Sequence, residues 1–196
     1  MFRGQFATSS PLLAKKIYDA SNGLALDAPV SGGDSGAKNA TLSIMCGGDK
    51  EVYDKVYPLF ELMGNNINLI GEAGCGQHCK MCNQIAVAGA TAAYSEALVY
   101  MKENGLNPHL ILDAISSGAA GSWQLSNMAP RVLNNDLDPG FFIKHFTKDM
   151  RIVKEVMNTK NIDLKMLNSV YDMYDNLENN GFENYGTQAL IKYYEK

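Results

Sequence analysis

The feature that most constrains this chain is a glycine-rich turn followed by a long stretch that holds no helix breaker. An apolar run at residues 67–70 leads into Gly71, Gly74 and Gly76, and residues 77–104 contain no proline. Small residues recur throughout that stretch, which predicts one long helix packed closely between neighbours. The rest of the chain has to be arranged around this helix.

Two polar residues mark the start of the predicted helix. Lys80 and Asn83 lie three residues apart, so they share one helix face. A lysine can transfer a proton there while the asparagine holds an oxygen atom beside it. Amides at a helix N-terminus also favour a nearby anion. The stretch therefore predicts a site for a small carboxylated substrate; the alternative is that Lys80 is an ordinary solvated helix lysine.

The composition limits the class of protein. The chain has 196 residues, 46% of them hydrophobic, and a net charge of −4. It can form a hydrophobic core, and it lacks the basic character of a nucleic-acid binder. No apolar stretch approaches the ~20 residues of a membrane-spanning helix. Three of the four cysteines fall within eight residues, which is not a disulfide framework, so we expect a cytoplasmic protein with no membrane or nucleic-acid partner.

The hydrophobic pattern divides the chain near residue 73. Before that point helices alternate with strands; we predict helices over residues 9–22 and 49–63 and strands over 24–30, 41–46 and 67–70. After that point the pattern predicts helices alone, over residues 77–104, 108–117, 122–134, 142–160, 164–180 and 186–195. We expect a mixed α/β domain over residues 1–73 and an all-helical domain over 74–196.

A zinc site is the first alternative for the cysteine-rich stretch. Cys75, His78, Cys79 and Cys82 form one stripe of a single helix, whereas a structural zinc site surrounds the metal with ligands from separate segments. We predict no metal and interpret the cysteines as small buried residues.

A dinucleotide fingerprint is the second alternative for the glycine turn. The spacing of Gly71, Gly74 and Gly76 is reversed relative to G-x-G-x-x-G, and no second strand with a terminal acid follows the helix. The glycines are better explained as a turn that lets another group approach Lys80.

A second glycine turn follows the predicted strand at residues 24–30. Ser31, Gly32 and Gly33 form either a plain turn or a nest of backbone amides suited to a carboxylate. The residues alone leave both interpretations open.

Taken together, residues 27–33 (DAPVSGG), 74–83 (GCGQHCKMCN) and 146–149 (FTKD) resemble the β-hydroxyacid dehydrogenase family, which includes 3-hydroxyisobutyrate dehydrogenase and tartronate semialdehyde reductase. Residues 118–123 (GAAGSW) and 138–141 (DPGF) also match stretches of that family. The resemblance implies a Rossmann domain joined by a long shared helix to an all-helical domain like that of 6-phosphogluconate dehydrogenase. It also implies homodimers or homotetramers formed through the helical part.

The resemblance further implies an NAD(P)-dependent oxidoreductase of small β-hydroxy acids or semialdehydes. By that resemblance, Lys80 is the catalytic residue. The implied substrate-binding residues are Ser31, Gly32, Gly33, Asn83 and Trp123, and the implied cofactor-binding residues are Thr8 and Lys148. The residues do not distinguish NAD from NADP, nor one β-hydroxy acid from another.

The chain departs from the family at its start. Only seven residues precede Thr8, and G-x-G-x-x-G is absent from the sequence. We therefore expect residues 1–73 to be the C-terminal remnant of a Rossmann domain, and we expect this chain alone to have weak or no dehydrogenase activity. Two alternatives stay open: a non-catalytic helical oligomerisation module, and one half of a split enzyme.

Overall fold

The computed structural model describes residues 10–195, and internal contacts divide the chain into two compact units, Met1–Asn83 and Gln84–Lys196. The described chain is mostly helical, and its three-stranded sheet belongs to the first unit. The division falls inside one long helix, whereas the sequence places a domain boundary after residue 73; that boundary stays a prediction. Within residues 10–195, no helix is both long and apolar enough to cross a membrane.

Helix α1 (Pro11–Ala20) opens the described chain as its local sequence predicts. Ser10 is the N-cap, and its hydroxyl oxygen accepts a hydrogen bond from the amide of Leu12 at 3.3 Å. Pro11 fits the first turn because its missing N–H would have no partner there. Asn22 and Gly23 take positive φ angles of 53° and 83° just after the helix ends, so both caps are encoded locally.

The sheet has the order β1 (Val30–Ser31), β2 (Leu42–Gly47), β3 (Gly64–Gly71). Strand β2 pairs in parallel with β3 and antiparallel with β1. Helix α3 (Lys50–Phe60) makes the crossover that parallel strands require. The predicted strands at 41–46 and 67–70 are confirmed, although β3 begins three residues earlier than predicted. The hydrophobic core of the first unit contains Leu42, Ile44 and Cys46 of β2 and Tyr53 of α3.

The predicted strand at residues 24–30 is wrong for most of its length. Leu24 is 74% exposed, and only Asp27, through an isolated bridge to Gly47, and Val30 pair with β2. Pro29 cannot donate to a sheet ladder. Helix α2 (Gly33–Lys38), a short helix directly after the Ser31 turn, was not predicted from the sequence.

Helix α4 (Cys75–Glu103) is the long helix that the proline-free stretch predicts. It begins within the first unit and continues into the second. Its buried positions in the first half are mostly polar or small, whereas Leu98 and Met101 are buried near its end. Gly105, with a φ of 65°, follows the helix, as is typical of a helix C-terminus.

The second unit holds the remaining helices. They are α5 (Pro108–Ser116), α6 (Trp123–Asn127), α7 (Ala129–Leu133), α8 (Ile143–Asn158) and α9 (Lys165–Leu177), followed by a π turn (Glu178–Phe182) and a 3-10 helix (Thr187–Tyr193). The single helix predicted over residues 122–134 is two helices, α6 ending at Asn127 and α7 beginning at Ala129. Pro130, in the first turn of α7, has no N–H to donate to a preceding helical turn. The last predicted helix, over 186–195, is a 3-10 helix.

An aromatic pair lies in the core of the second unit. Phe146 of α8 and Tyr174 of α9 meet edge to face with ring centroids 5.1 Å apart, and both are fully buried. The Tyr174 hydroxyl donates a 2.6 Å hydrogen bond to the carbonyl of Thr187. The helix predicted over residues 142–160 is confirmed as α8, and Met150 and Val153 on its apolar stripe are also buried.

Candidate active site

The start of α4 is held by a carboxylate from a distant part of the chain. Asp27 accepts hydrogen bonds from the backbone amides of Gly74 at 2.7 Å and Gln77 at 2.8 Å. These amides belong to the helix terminus, which leaves its donors without intrahelical partners and favours negative charge. The expectation that they bind a substrate carboxylate is wrong at these two positions, because Asp27 already occupies them.

Two glycines allow this contact. A Cβ atom on Gly47 would lie 2.6 Å from Asp27 Oδ1, and one on Gly76 would lie 2.8 Å from Asp27 Oδ2. Carbon–oxygen separations this short are repulsive, so β2 and the start of α4 approach closely because both positions lack a side chain. Gly76, which the sequence analysis assigned to a turn beside Lys80, thus has a packing role in the first turn of α4.

Lys80 lies in the second turn of α4 and is only 9% exposed. Gln77 and Met81 beside it are also buried. The alternative of an ordinary solvated lysine is therefore wrong. Burial of an ammonium group is costly unless it is compensated, and lysines in such places are often functional.

Asn83 lies in α4 one turn after Lys80, and it is half-buried. Its position follows the predicted helix register, in which residues three apart are neighbours on the surface of the helix. The pair thus combines a buried amine with an amide side chain on one stretch of α4.

Ser31, Gly32 and Gly33 connect β1 to α2. Ser31 pairs with Ser43 of β2, and the two glycines take positive φ angles of 131° and 60°. Residues other than glycine rarely adopt such angles, so the sharp turn predicted here is confirmed. Both glycines are exposed, which leaves their backbone accessible to a ligand.

Asp27 ties this turn to the start of α4. It lies four residues before Ser31, and its carboxylate binds the amide of Gln77, three residues before Lys80. The chain can span at most about 3.3–3.6 Å per residue. Ser31, at the start of the turn, and Lys80 therefore both lie within four residues of the hydrogen bond between Asp27 and Gln77, which the sequence did not predict.

Lys148 belongs to the second unit and lies beside a buried acid. Its Nζ is 3.0 Å from Asp149 Oδ1, and its side chain is 33% exposed. Asp149 is 2% exposed, and its Oδ2 accepts a 2.7 Å hydrogen bond from Nε2 of the buried Gln84. Neither Asp149 nor Gln84 was predicted as a site residue. The available signal was an acid at a core position, between Phe146 and Val153 on the apolar stripe of α8.

Two further residues, Trp123 and Thr8, were predicted to bind substrate and cofactor. Trp123 is the first residue of α6, and its side chain is 63% exposed in the second unit. Thr8, predicted to contact a cofactor, lies outside the described residues. The roles of both stay predictions.

The cysteines differ from one another more than the sequence analysis expected. Cys46 is buried, Cys75 and Cys79 are half-buried, and Cys82 is exposed. The prediction of buried cysteines is thus wrong for Cys82. Burial, with a smaller contribution from Asp27, raises the pKa of the Cys46 thiol to about 12. Within residues 10–195, no three His, Cys, Asp or Glu side chains are grouped as a metal site would need.

Two family profiles match the chain. Residues 74–194 match the profile described as NAD-binding of NADP-dependent 3-hydroxyisobutyrate dehydrogenase. Residues 5–71 match the NAD-binding domain of 6-phosphogluconate dehydrogenase. The first of these profiles alone covers more than half of the chain.

Individual proteins match over nearly the whole chain. An uncharacterized oxidoreductase of Bacillus subtilis, YkwC, is 50% identical over 192 residues, which is 96% of this chain and 67% of the relative. A probable 3-hydroxyisobutyrate dehydrogenase-like protein of Arabidopsis thaliana is 42% identical over 94% of this chain and 56% of its own length. The solved structure of Mycobacterium tuberculosis 3-hydroxyisobutyrate dehydrogenase with L-serine has a TM-score of 0.89 at 28% identity.

The matched proteins are longer than this chain. The aligned region spans 67% and 56% of the two relatives. The Mycobacterium tuberculosis structure aligns with 96% of this chain, and this chain spans 68% of that structure.

Proposed function

Because the chain belongs to the β-hydroxyacid dehydrogenase family, we propose that it contributes the catalytic and substrate-binding residues of an NAD(P)-dependent oxidoreductase of small β-hydroxy acids or their semialdehydes. The observation that carries this proposal is the burial of Lys80 in the second turn of α4, one turn before Asn83. A buried amine beside an amide side chain is suited to proton transfer at an oxygen atom. The family match supports this function over the alternative of a non-catalytic oligomerisation module.

Lys80 is the proposed general acid for reduction and the general base for oxidation. During reduction of a semialdehyde, negative charge develops on the carbonyl oxygen, and Lys80 Nζ donates the proton that neutralises it. The Asn83 side chain donates a hydrogen bond to the same oxygen. A well-placed acid or base contributes about 10²–10⁴ in rate.

Ser31, Gly32 and Gly33 are the proposed binding site for the substrate carboxylate. Their turn is exposed and contains two glycines with positive φ angles, and successive backbone amides in turns form anion-binding concavities. Since Asp27 occupies the amides of Gly74 and Gln77, the carboxylate is held by this turn and not by the N-terminus of α4. Asp27 then acts as a positioning residue, because it connects the turn to the helix that carries Lys80.

The nicotinamide cofactor supplies or accepts the hydride when it is bound. Its pyrophosphate does not fit at the N-terminus of α4, because the Asp27 carboxylate already accepts from the Gly74 and Gln77 amides and would repel it. Lys148 does fit a cofactor contact, since its cationic side chain is one-third exposed and is steadied by Asp149. We propose Lys148 and Thr8 as cofactor-binding residues, with NAD or NADP as the cofactor.

The remaining parts of the proposal concern substrate selection, the domains, assembly and location. The exposed Trp123 is the proposed residue for selecting the substrate side chain. For the domains, we propose a remnant of the nucleotide-binding domain over residues 1–73 and a helical domain over residues 74–196. We also propose that the protein assembles into homodimers or homotetramers and is located in the cytoplasm.

The proposal is tested by Lys80→Ala. Cofactor oxidation and reduction are followed with 3-hydroxyisobutyrate, L-serine and tartronate semialdehyde, using this chain and any longer protein that carries it. We expect turnover to fall by about 10²–10⁴, while NADH or NADPH binding, measured by fluorescence titration, is unchanged. Lys102→Ala is the matched control, since Lys102 lies on the same helix and is exposed. Measurable turnover that is equal in the Lys80 variant and the control contradicts the assignment.

A further inference from the structure

Two thiols bracket Lys80 on α4. Cys79 directly precedes Lys80, and Cys82 follows two residues later, so the sequence reads Cys-Lys-Met-Cys within the helix. The proposed dehydrogenase mechanism uses neither thiol. Both sulfur atoms belong to the first unit, as Lys80 does.

Helix geometry brings the two cysteines within reach of one another. With about 3.6 residues per turn, a rise of about 1.5 Å and a Cα radius of about 2.3 Å, Cα atoms three residues apart are separated by about 5 Å. Disulfides accept Cα separations of about 4.4–6.8 Å. The Cβ atoms of such a pair are about 5–6 Å apart, whereas a disulfide needs about 3.5–4.5 Å. The turn therefore has to tighten before the bond can form.

The two thiols differ in exposure in the way a stepwise oxidation needs. Cys82 is exposed and accessible to an oxidant in solution, whereas Cys79 is half-buried. Burial raises the pKa of Cys79, and the neighbouring Cys82 raises it further, which agrees with the proximity expected from the helix. Cys82 is thus the first thiol to react, and Cys79 is the resolving thiol.

We propose that Cys79 and Cys82 form a reversible disulfide when the protein meets a peroxide, and that this bond controls the position of Lys80. The Cys82 sulfur attacks hydrogen peroxide and becomes a sulfenic acid, with release of one water. The Cys79 sulfur then attacks the sulfenic sulfur, the S–S bond forms, and a second water leaves. Two thiols lose two hydrogen atoms and two electrons, and one peroxide is reduced to two waters.

The bond changes the geometry around Lys80. Side chains three residues apart eclipse one another in a 3-10 helix, so closing the disulfide draws residues 79–82 towards 3-10 geometry. Lys80 lies inside that turn, and Asn83 follows it directly. Misplacement of a catalytic group by about 1 Å can cost on the order of 10² in rate. A bond formed under this strain is also readily reduced, as a reversible control requires.

Peptide mapping tests the disulfide without any dehydrogenase activity. Trypsin cleaves after Lys80, which separates Cys79 in peptide 56–80 from Cys82 in peptide 81–102. After treatment with hydrogen peroxide and alkylation of free thiols, we expect these two peptides to be covalently joined and to separate on reduction. The joined pair should persist in Cys75→Ser and disappear in Cys79→Ser and Cys82→Ser. Cys75→Ser is the matched control because it removes the third thiol of the same stripe.

Other mapping results overturn the proposal. A disulfide inside peptide 56–80 would show that Cys75 bonds Cys79, and a joined pair that persists in Cys79→Ser would show that Cys75 bonds Cys82. Conversion of Cys82 to sulfinic or sulfonic acid without joined peptides would show that Cys79 does not resolve the sulfenic acid. Joined pairs that combine one ¹⁵N-labelled and one unlabelled peptide, from a mixture of the two proteins, would show a bond between chains.

The control of Lys80 rests on the proposed function and is tested separately. Peroxide should lower turnover on the order of 10², dithiothreitol should restore it, and Cys82→Ser should be insensitive to peroxide. A disulfide that forms without changing turnover refutes the control of Lys80. Turnover is measured in this chain and in any longer protein that carries it. Absence of turnover in both, in the reduced state, refutes the proposed function, and the peptide map then still decides whether the disulfide exists.

Discussion

Replacement of Asp27 by asparagine tests how the start of α4 is held. The two carboxylate oxygens accept from different backbone amides, at 2.7 and 2.8 Å. In Asp27→Asn one oxygen remains an acceptor, but the other becomes an NH₂ group that faces an N–H donor. The variant therefore loses one charge-assisted hydrogen bond and the negative charge at the helix terminus, while its size hardly changes.

The magnitude follows from these two losses. A hydrogen bond to a charged group contributes about 1.5–3 kcal/mol, and a charge near a helix terminus contributes about 0.3–1 kcal/mol. We expect the free energy of unfolding to fall by about 2–4 kcal/mol. In a chain of this size such a loss lowers the melting temperature on the order of 10 °C.

Urea unfolding followed by circular dichroism measures the free energy, and hydrogen exchange at the Gly74 and Gln77 amides gives a local measure of the same loss. Asp54→Asn is the control, because Asp54 forms an exposed i,i+4 ion pair with Lys50, and such pairs contribute about 0.3–0.5 kcal/mol. An Asp27 variant as stable as that control, with unchanged exchange at both amides, would refute the account of Asp27 as the cap of α4.

Two further predictions concern buried groups. Burial raises the pKa of Cys46 to about 12, so the folded state holds the thiol proton more tightly than the unfolded state does. The resulting stabilisation is complete below the unfolded thiol pKa of about 8.5. It is lost as the pH rises towards 12. We expect the free energy of unfolding, measured with urea at a series of pH values in that range, to fall less steeply with pH in Cys46→Ala than in the original chain. The control Cys82→Ala, at an exposed position, should leave this pH dependence unchanged. Tyr174→Phe removes the 2.6 Å hydrogen bond to the Thr187 carbonyl and should lower the free energy of unfolding by about 1–3 kcal/mol. The control Tyr171→Phe loses only a long, 3.4 Å contact with Asp175, and equal losses in the two tyrosine variants would contradict this assignment.

The sequence predicted the elements whose signals are local. The Ser10 cap and Pro11 fix the start of α1, and the absence of proline after Gly76 predicts the long helix α4. The lysine and asparagine of the candidate site follow from the register of that helix. Short-range sterics and hydrogen bonds decide these features, so they can be read without knowing the fold.

Local patterns did not predict the structure where contacts with distant segments compete with local preference. Residues 24–30 have the apolar pattern of a strand, yet Asp27 in their centre directs its carboxylate to α4. Residues 122–134 have the pattern of one helix, yet they form two. Local pattern contains no information about which partner a segment meets, and packing overrides propensity in both places.

The amino-acid sequence by itself therefore determined the helical character of the chain, its family and the residues to examine, because periodicity, caps and motif spacing act over a few positions. Only the tertiary structure decided that Lys80 is buried, that Cys82 is exposed, and that Asp149 is buried between Gln84 and Lys148. It also decided that the carboxylate of Asp27, 47 residues away, accepts from the amide of Gly74, directly before the long helix. Burial and such long-range hydrogen bonds depend on which surfaces meet after the chain has folded, and that is a property of the whole fold.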